Sequence, residues 1–217
     1  MARKTHKSQQ AARTAILDAA EKVITGVGPA GLRISAVAKE AGMAHPNVLH
    51  HFGSREGLIA AVAERVGLRA TERITAAIKT AAEASADKKH LALTAVLDTA
   101  FLGDEGRLVA WLHMSGVENS MDANMQRILA MAQELRRTVD ANADPINTNR
   151  LVVLITLALV GEVVYGSGIT DALGFNDSEN KDHNSFRAWL ASIVMGLSDD
   201  VLNAMTVVPS QSKSDDD

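Results

Sequence analysis

An all-α protein is the fold class this sequence predicts, on three observations. Only 3% of the 217 residues are aromatic, so strand-favouring material is scarce. Alanine, the strongest helix former, is abundant. Prolines stand at 29, 46, 145 and 209 alone, which leaves a long stretch free for uninterrupted helices. With 47% hydrophobic residues the chain can bury a sizeable core, and a disordered chain is excluded.

The elements follow in order. From Ala12 to Val27, residues Ile16, Ala20, Val23, Ile24 and Val27 keep helical spacing, and the Gly26 to Gly31 stretch with Pro29 ends that helix. A short second helix fits Ile34 to Ala41 and a third fits His45 to Phe52. A long fourth starts after Ser54, a good N-cap, with Leu58, Ile59, Val62, Val66, Ile74 and Ile78 on its inner face. Further helices are predicted at about 88–102, 105–114, 117–142, 147–168 and 183–206, with bounds good to roughly 2–4 residues. Asp144 and Pro145 mark a clear break. Phe186, Leu190, Ile193, Leu197, Val201 and Met205 form one apolar stripe on the last helix, and the Ser/Asp-rich tail after it is expected to be disordered.

Several functions are excluded. Without cysteine there is no disulfide framework, thiolate metal site or cysteine nucleophile. The basic, polar N-terminus does not read as a secretory signal, so a cytoplasmic protein is expected. Leu151 to Val160 runs ten residues before Gly161 and Glu162; this falls short of the ~20 a membrane helix needs. It reads as a buried helix, and no membrane partner is expected. Gly26 to Gly31 matches G-x-G-x-x-G by letter, but it follows a helix and contains Pro29, so it is no dinucleotide fingerprint. The histidines show no ligand spacing, and neither metal nor cofactor is expected.

Charge is unevenly spread. Residues 1–60 carry a balance of +4 and the remainder −8, the pattern of a small basic module for a polyanion joined to an acidic body. Within the basic module Ala38 is small where two helices must cross, Gly42 can take the positive φ of a tight turn, and Val48 faces back into the crossing. That is helix-turn-helix spacing.

Ile16 to Val62 resembles the N-terminal DNA-binding domain of the TetR/AcrR transcriptional regulators. The resemblance rests on Gly28 to Leu32, Val37 to Met43 and, most specifically, the His51-Phe-Gly-Ser-Arg-Glu-Gly-Leu58 run. Four departures stand out. Arg33 and Ala44 replace the usual N-caps of the second and third helices, Leu49 replaces a tyrosine that reaches a phosphate in many relatives, and Pro46 enters the first turn of the recognition helix. The resemblance implies a helix-turn-helix head at 1–55 with a basic arm, a helical ligand-binding and dimerisation body at 56–206, and a tail at 207–217. It implies a palindromic double-stranded DNA operator and most simply a repressor. The apolar Leu151 to Val160 run and the Phe186 to Met205 stripe point to a homodimer, and body residues such as Trp111, Met125 and Tyr165 to release by a small apolar or amphipathic effector.

Recognition helices approach base edges with their N-terminal residues, here His45, Pro46 and Asn47. Asn47 can pair bidentately with adenine, His45 can donate to guanine, and Pro46 can meet a thymine methyl. Ser35, His50, His51, Ser54 and Arg55 are placed for phosphates; either histidine could instead pack inward under Phe52. Arg3, Lys4, Lys7 and Arg13 form a basic arm, for phosphate or for solvent. In the body, Trp111, His113, Met114, Met121, Met125, Glu162 and Tyr165 are the candidate ligand residues, with ordinary core filling as the alternative for each. A rival reading from another class is a helical enzyme or carrier centred on Trp111, His113 and Tyr165.

Overall fold

The computed structural model describes residues 2–100, 103–114, 121–174 and 184–206. Among them are ten α-helices and no strand: α1 (Ala2–Gly31), α2 (Ile34–Glu40), α3 (His45–Phe52), α4 (Arg55–Ala82), α5 (Lys89–Ala100), α6 (Gly103–Met114), α7 (Met121–Val139), α8 (Pro145–Ala172), α9 (Asn184–Gly196) and α10 (Asp199–Thr206). The all-α class is therefore as predicted. The expected disordered tail lies outside the described residues.

Helix α1 starts well before Ala12, because the polar run ahead of it holds neither glycine nor proline to stop it. At its other end Gly28 takes φ 73° and ψ 165° beside Pro29, which has no N–H to donate, so the helix kinks within the predicted stop and adds one more turn. In the turn between α2 and α3, Gly42 has φ 65°, and the Met43 N–H donates to the Ala38 carbonyl at 2.9 Å. Arg33 and Ala44 provide no side-chain cap, as expected. Ser54 does cap α4, its Oγ accepting from the Gly57 N–H at 3.0 Å.

One core joins Ile16, Ala20 and Ile24 of α1, Val37 of α2, Val48 of α3 and Leu58, Val62 and Val66 of α4. Leu108 and Leu112 of α6 complete it. Alongside runs an ionic ladder. Arg65 Nε donates to Glu21 at 2.7 Å and Arg69 to the other Glu21 oxygen at 2.8 Å, while Arg69 and Arg73 pair with Glu105 of α6 at 3.3 and 2.9 Å. The rest of α4 packs with α5 and α7 through Ile78, Ala81 and Val96. A further cluster joins α5, α8 and α9 through Leu97, Leu159 and Leu190.

Two expectations about the C-terminal half need correction. The predicted helix at 183–206 is two helices. Ser198 starts α10, its Oγ accepting from the Val201 N–H at 3.4 Å, and two acids follow in the first turn; spacing alone carried the apolar stripe across this break. Nor is Leu151 to Val160 buried all round. Leu151 and Leu159 point inward, but Val153, Leu154 and Leu157 are exposed. Gly161 and Glu162 do not interrupt α8, so its 28 residues are long and apolar enough by length and composition to cross a membrane. Leu159, with Ile155 and Ala158 beside it, packs against α5 and α9.

The start of α8 is held by a polar knot. Asn147, fully buried, donates to Asp199 Oδ1 at 2.9 Å and to Asn203 at 3.0 Å. Arg136 of α7 reaches the same Asp199 oxygen at 2.9 Å, and the Asp144 N–H donates to Oδ2 at 2.8 Å. Burial pushes the Asp199 carboxyl up, but the hydrogen bonds from Asp144, Asn147 and Arg136 outweigh it and hold the group below its ordinary value. Asp199→Asn is expected to lose about 1.5–3 kcal/mol at neutral pH, measured by urea unfolding. The carboxylate contributes its stability above the unfolded value of ~3.9 and loses it as pH falls through the lower folded value. Wild type and variant are therefore expected to converge in strongly acidic solution.

Candidate nucleic-acid interface and ligand cavity

The head presents one polar surface. His45, Pro46 and Asn47 form the exposed first turn of α3. Nothing caps that turn, and Pro46 sits where a missing N–H leaves no intrahelical bond unmade. Ser35 is exposed in the first turn of α2, and Ser54 at the N-cap of α4. His50 is exposed; His51 is half-buried, its ring centroid 6.3 Å from that of Phe52.

Two arginines have specific partners within the head. Arg55, expected on a phosphate, donates from Nε to the Leu32 carbonyl at 2.9 Å and from one terminal nitrogen to Pro29 and Ala30 at 2.6 and 3.0 Å. It braces the carbonyl end of α1 against α4, spending most of the fork that would grip an anion. Arg13, counted in the basic arm, donates to the His51 carbonyl at 3.2 Å and lies 4.4 Å over the Phe52 ring. It ties α1 to the end of α3 and opens a polar cleft lined also by Gln9, Gln10, His50 and His51. Gln9 and Gln10 lie on α1 ahead of the apolar spacing that begins after Ala12, so no hydrophobic pattern points to them. The side chains of Arg3, Lys4 and Lys7 lie outside the described residues.

The body holds a cavity of about 300 Å³ between α4, α5, α6, α7 and α8. Its wall is mainly apolar, with Ile74 and Ile78 of α4, Leu93 and Leu97 of α5, Val109 and Ala110 of α6, Met125 and Ile128 of α7, and Ile155 and Leu159 of α8. Of the candidate ligand residues only Met125 lines it among the described ones. Trp111 is half-buried away from it, and Tyr165 is 62% exposed on α8. Glu162 instead accepts from Arg187 Nε at 2.8 Å, and the same guanidinium donates to the Leu97 and Asp98 carbonyls at 3.1 Å each. That brace answers the cost of an acid on an apolar helix. The side chains of His113, Met114 and Met121 lie outside the described residues.

No local pattern marks Thr71, Asn124 and Thr156 as cavity wall, where they lie beside Gly67. A search for large flexible side chains passes over the small ones that leave a hollow. Gly67 stands in an unbroken helix; a Cβ there would lie 3.2 Å from Asn124 Nδ2, so the glycine makes room for that amide.

Residues 16–62 match the family model described as bacterial regulatory proteins, tetR family. No curated protein matches the chain. Solved structures do. A protein of Mesorhizobium loti assigned to the TetR-family transcriptional regulators superposes with a TM-score of 0.63 at 15% identity, covering 87% of this chain and 95% of the other. A TetR-family transcriptional regulator of Pectobacterium atrosepticum gives 0.58 at 23% identity, covering 87% and 93%. The multidrug binding protein EbrR, complexed with imidazole, gives 0.55 at 20%, covering 84% and 93%. Residues 16–62 are thus similar to the N-terminal segment of the tetR family of bacterial regulatory proteins, and the described chain has the fold of solved structures assigned to that family.

Proposed function

We propose that this chain is a DNA-binding transcriptional regulator that acts as a homodimer in the cytoplasm, a repressor that leaves its operator when a small apolar molecule enters the body. The observation that carries the reading is the double duty of α6. Val109 and Ala110 line the cavity while Leu108 and Leu112, on the same two turns, complete the core of the head. A ligand that shifts α6 must repack the head or be resisted by it, and the energy available is the difference in affinity between the two arrangements. A second route runs through α4, which starts beside α3 and lines the cavity with Ile74 and Ile78. Repression and a palindromic operator come from the family resemblance. The description of EbrR as a multidrug binding protein supports a small-molecule effector by analogy of fold only. Of the rival enzyme reading's three residues, Tyr165 and Trp111 do not line the cavity, which favours the regulator, and the side chain of His113 lies outside the described residues.

On the DNA side, Asn47, His45 and Pro46 would read bases, while Ser35, His50, His51 and Ser54 would hold phosphates beside Gln9 and Gln10. Selection of bound fragments from genomic DNA, followed by binding shifts at several salt concentrations, tests this. Asn47→Ala is expected to cost roughly 1–3 kcal/mol on the selected site and to relax base preference. His50→Ala is expected to weaken selected and random DNA about equally. Arg55→Ala is expected to register in unfolding rather than in the salt slope, at about 1–3 kcal/mol for carbonyls and a cation parted from each other.

The dimer face follows from the outward residues of α8 and α9. Val153, Leu157, Trp189 and Met195 are exposed, while Ile193 and Leu197 of the predicted stripe are half-buried within the protomer. Exposed apolar side chains on two adjoining helices fit an isologous contact with a second copy. Light scattering at micromolar concentration should give twice the 23.0 kDa chain mass for wild type. Leu157→Glu with Trp189→Glu should give single chains; wild type at one chain mass would contradict the dimer.

A further inference from the structure

Among the described residues that line the cavity none carries a charge, and three bring polar groups: Thr71, Thr156 and Asn124. The two threonines donate to their own helices, Thr71 Oγ1 to the Gly67 carbonyl and Thr156 Oγ1 to the Val152 carbonyl, at 2.8 Å each. Asn124 differs. Its carboxamide is half-buried at the cavity wall and makes no hydrogen bond among the described residues. A carboxamide offers two donors and a carbonyl acceptor, and with no partner among the described residues they are available to a molecule in the cavity. Gly67 opposite has no side chain to displace the amide, although a glycine inside a helix costs about 1 kcal/mol relative to alanine.

We infer that Asn124 is the specificity-determining residue of the cavity and that its ligand is a neutral, largely apolar molecule carrying one hydrogen-bonding oxygen, a carbonyl or a hydroxyl, which the Asn124 amide engages. Apolar walls supply most of the affinity, and the amide sets orientation. A carboxylate finds no cation among the described lining residues and would enter only at the cost of burying an unpaired charge. The inference rests on the body being the effector site of the proposed regulator.

The test uses three probes of one shape, propiophenone, propylbenzene and 3-phenylpropanoate, titrated calorimetrically into the full chain without DNA. Wild type is expected to bind the ketone about five- to tenfold more tightly than the hydrocarbon, the range of one neutral hydrogen bond, and to bind the carboxylate weakest. Asn124→Leu should abolish that preference and bind propylbenzene at least as well as wild type does, with a melting curve confirming that it folds. Gly67→Ala, which presses on the amide and favours the helix, should reduce the ketone-to-hydrocarbon ratio while leaving propylbenzene affinity within about twofold; it decides the matter if Asn124→Leu does not fold. An unchanged ratio in the folded variants, a wild-type preference for the carboxylate, or no binding of any probe overturns the inference. A protein that selects DNA yet shows no ketone preference fails this inference alone. One that shows the preference but binds no DNA fails the regulator reading instead.

Discussion

Burial of Leu108 and Leu112 is the contact on which the rest of the molecule depends. Without them the core of α1 to α3 would close on α4 alone, leaving two leucines that are 2% and 3% exposed to find another home. Burying a leucine contributes roughly 1.5–3 kcal/mol, so the pair represents a sizeable part of the 5–15 kcal/mol by which a domain is ordinarily stable. The helix that carries them also walls the cavity, and dense cores deform by switching between packings rather than by yielding smoothly.

The ionic ladder reinforces the same joint. Glu21 holds Arg65 and Arg69, and Glu105 holds Arg69 and Arg73, so Arg69 is shared between α1 and α6. Exposed ion pairs are worth little, but a shared arginine with acids on two other helices fixes their relative placement more firmly than separate pairs would. Arg55 does the corresponding work at the other end of the head by gathering the carbonyls of Pro29, Ala30 and Leu32. Contacts from the chain's own interior thus take up cations that a count of basic residues would allot to a polyanion.

Local chemistry made much of the fold readable. Gly42 announced the turn, Ser54 the start of α4, and Asp144 with Pro145 the start of α8, because each signal acts within a few residues. Spacing was a poorer guide where two signals competed. The apolar stripe through Leu197 continued across a break that Ser198, followed by Asp199 and Asp200, marks in the manner of any helix start. The carbonyl partners of Arg55 and the arginine partner of Glu162 are more than twenty residues away, and no local pattern points to them. The cavity was the least legible feature. Its wall is defined by what small residues leave empty, and Met125 entered the expected set for its flexibility rather than its neighbours.

Pro46 has a consequence beyond its tolerance at the start of α3. Its ring fixes one backbone torsion before any surface docks on that turn, and the freedom it removes is missing from the unfolded chain as well. Less order then has to be created on contact, so the ring's share of the binding free energy is entropic and leaves no trace among the hydrogen bonds of the complex. Two turns with identical contacts, one with proline and one without, would differ in how often they are found ready.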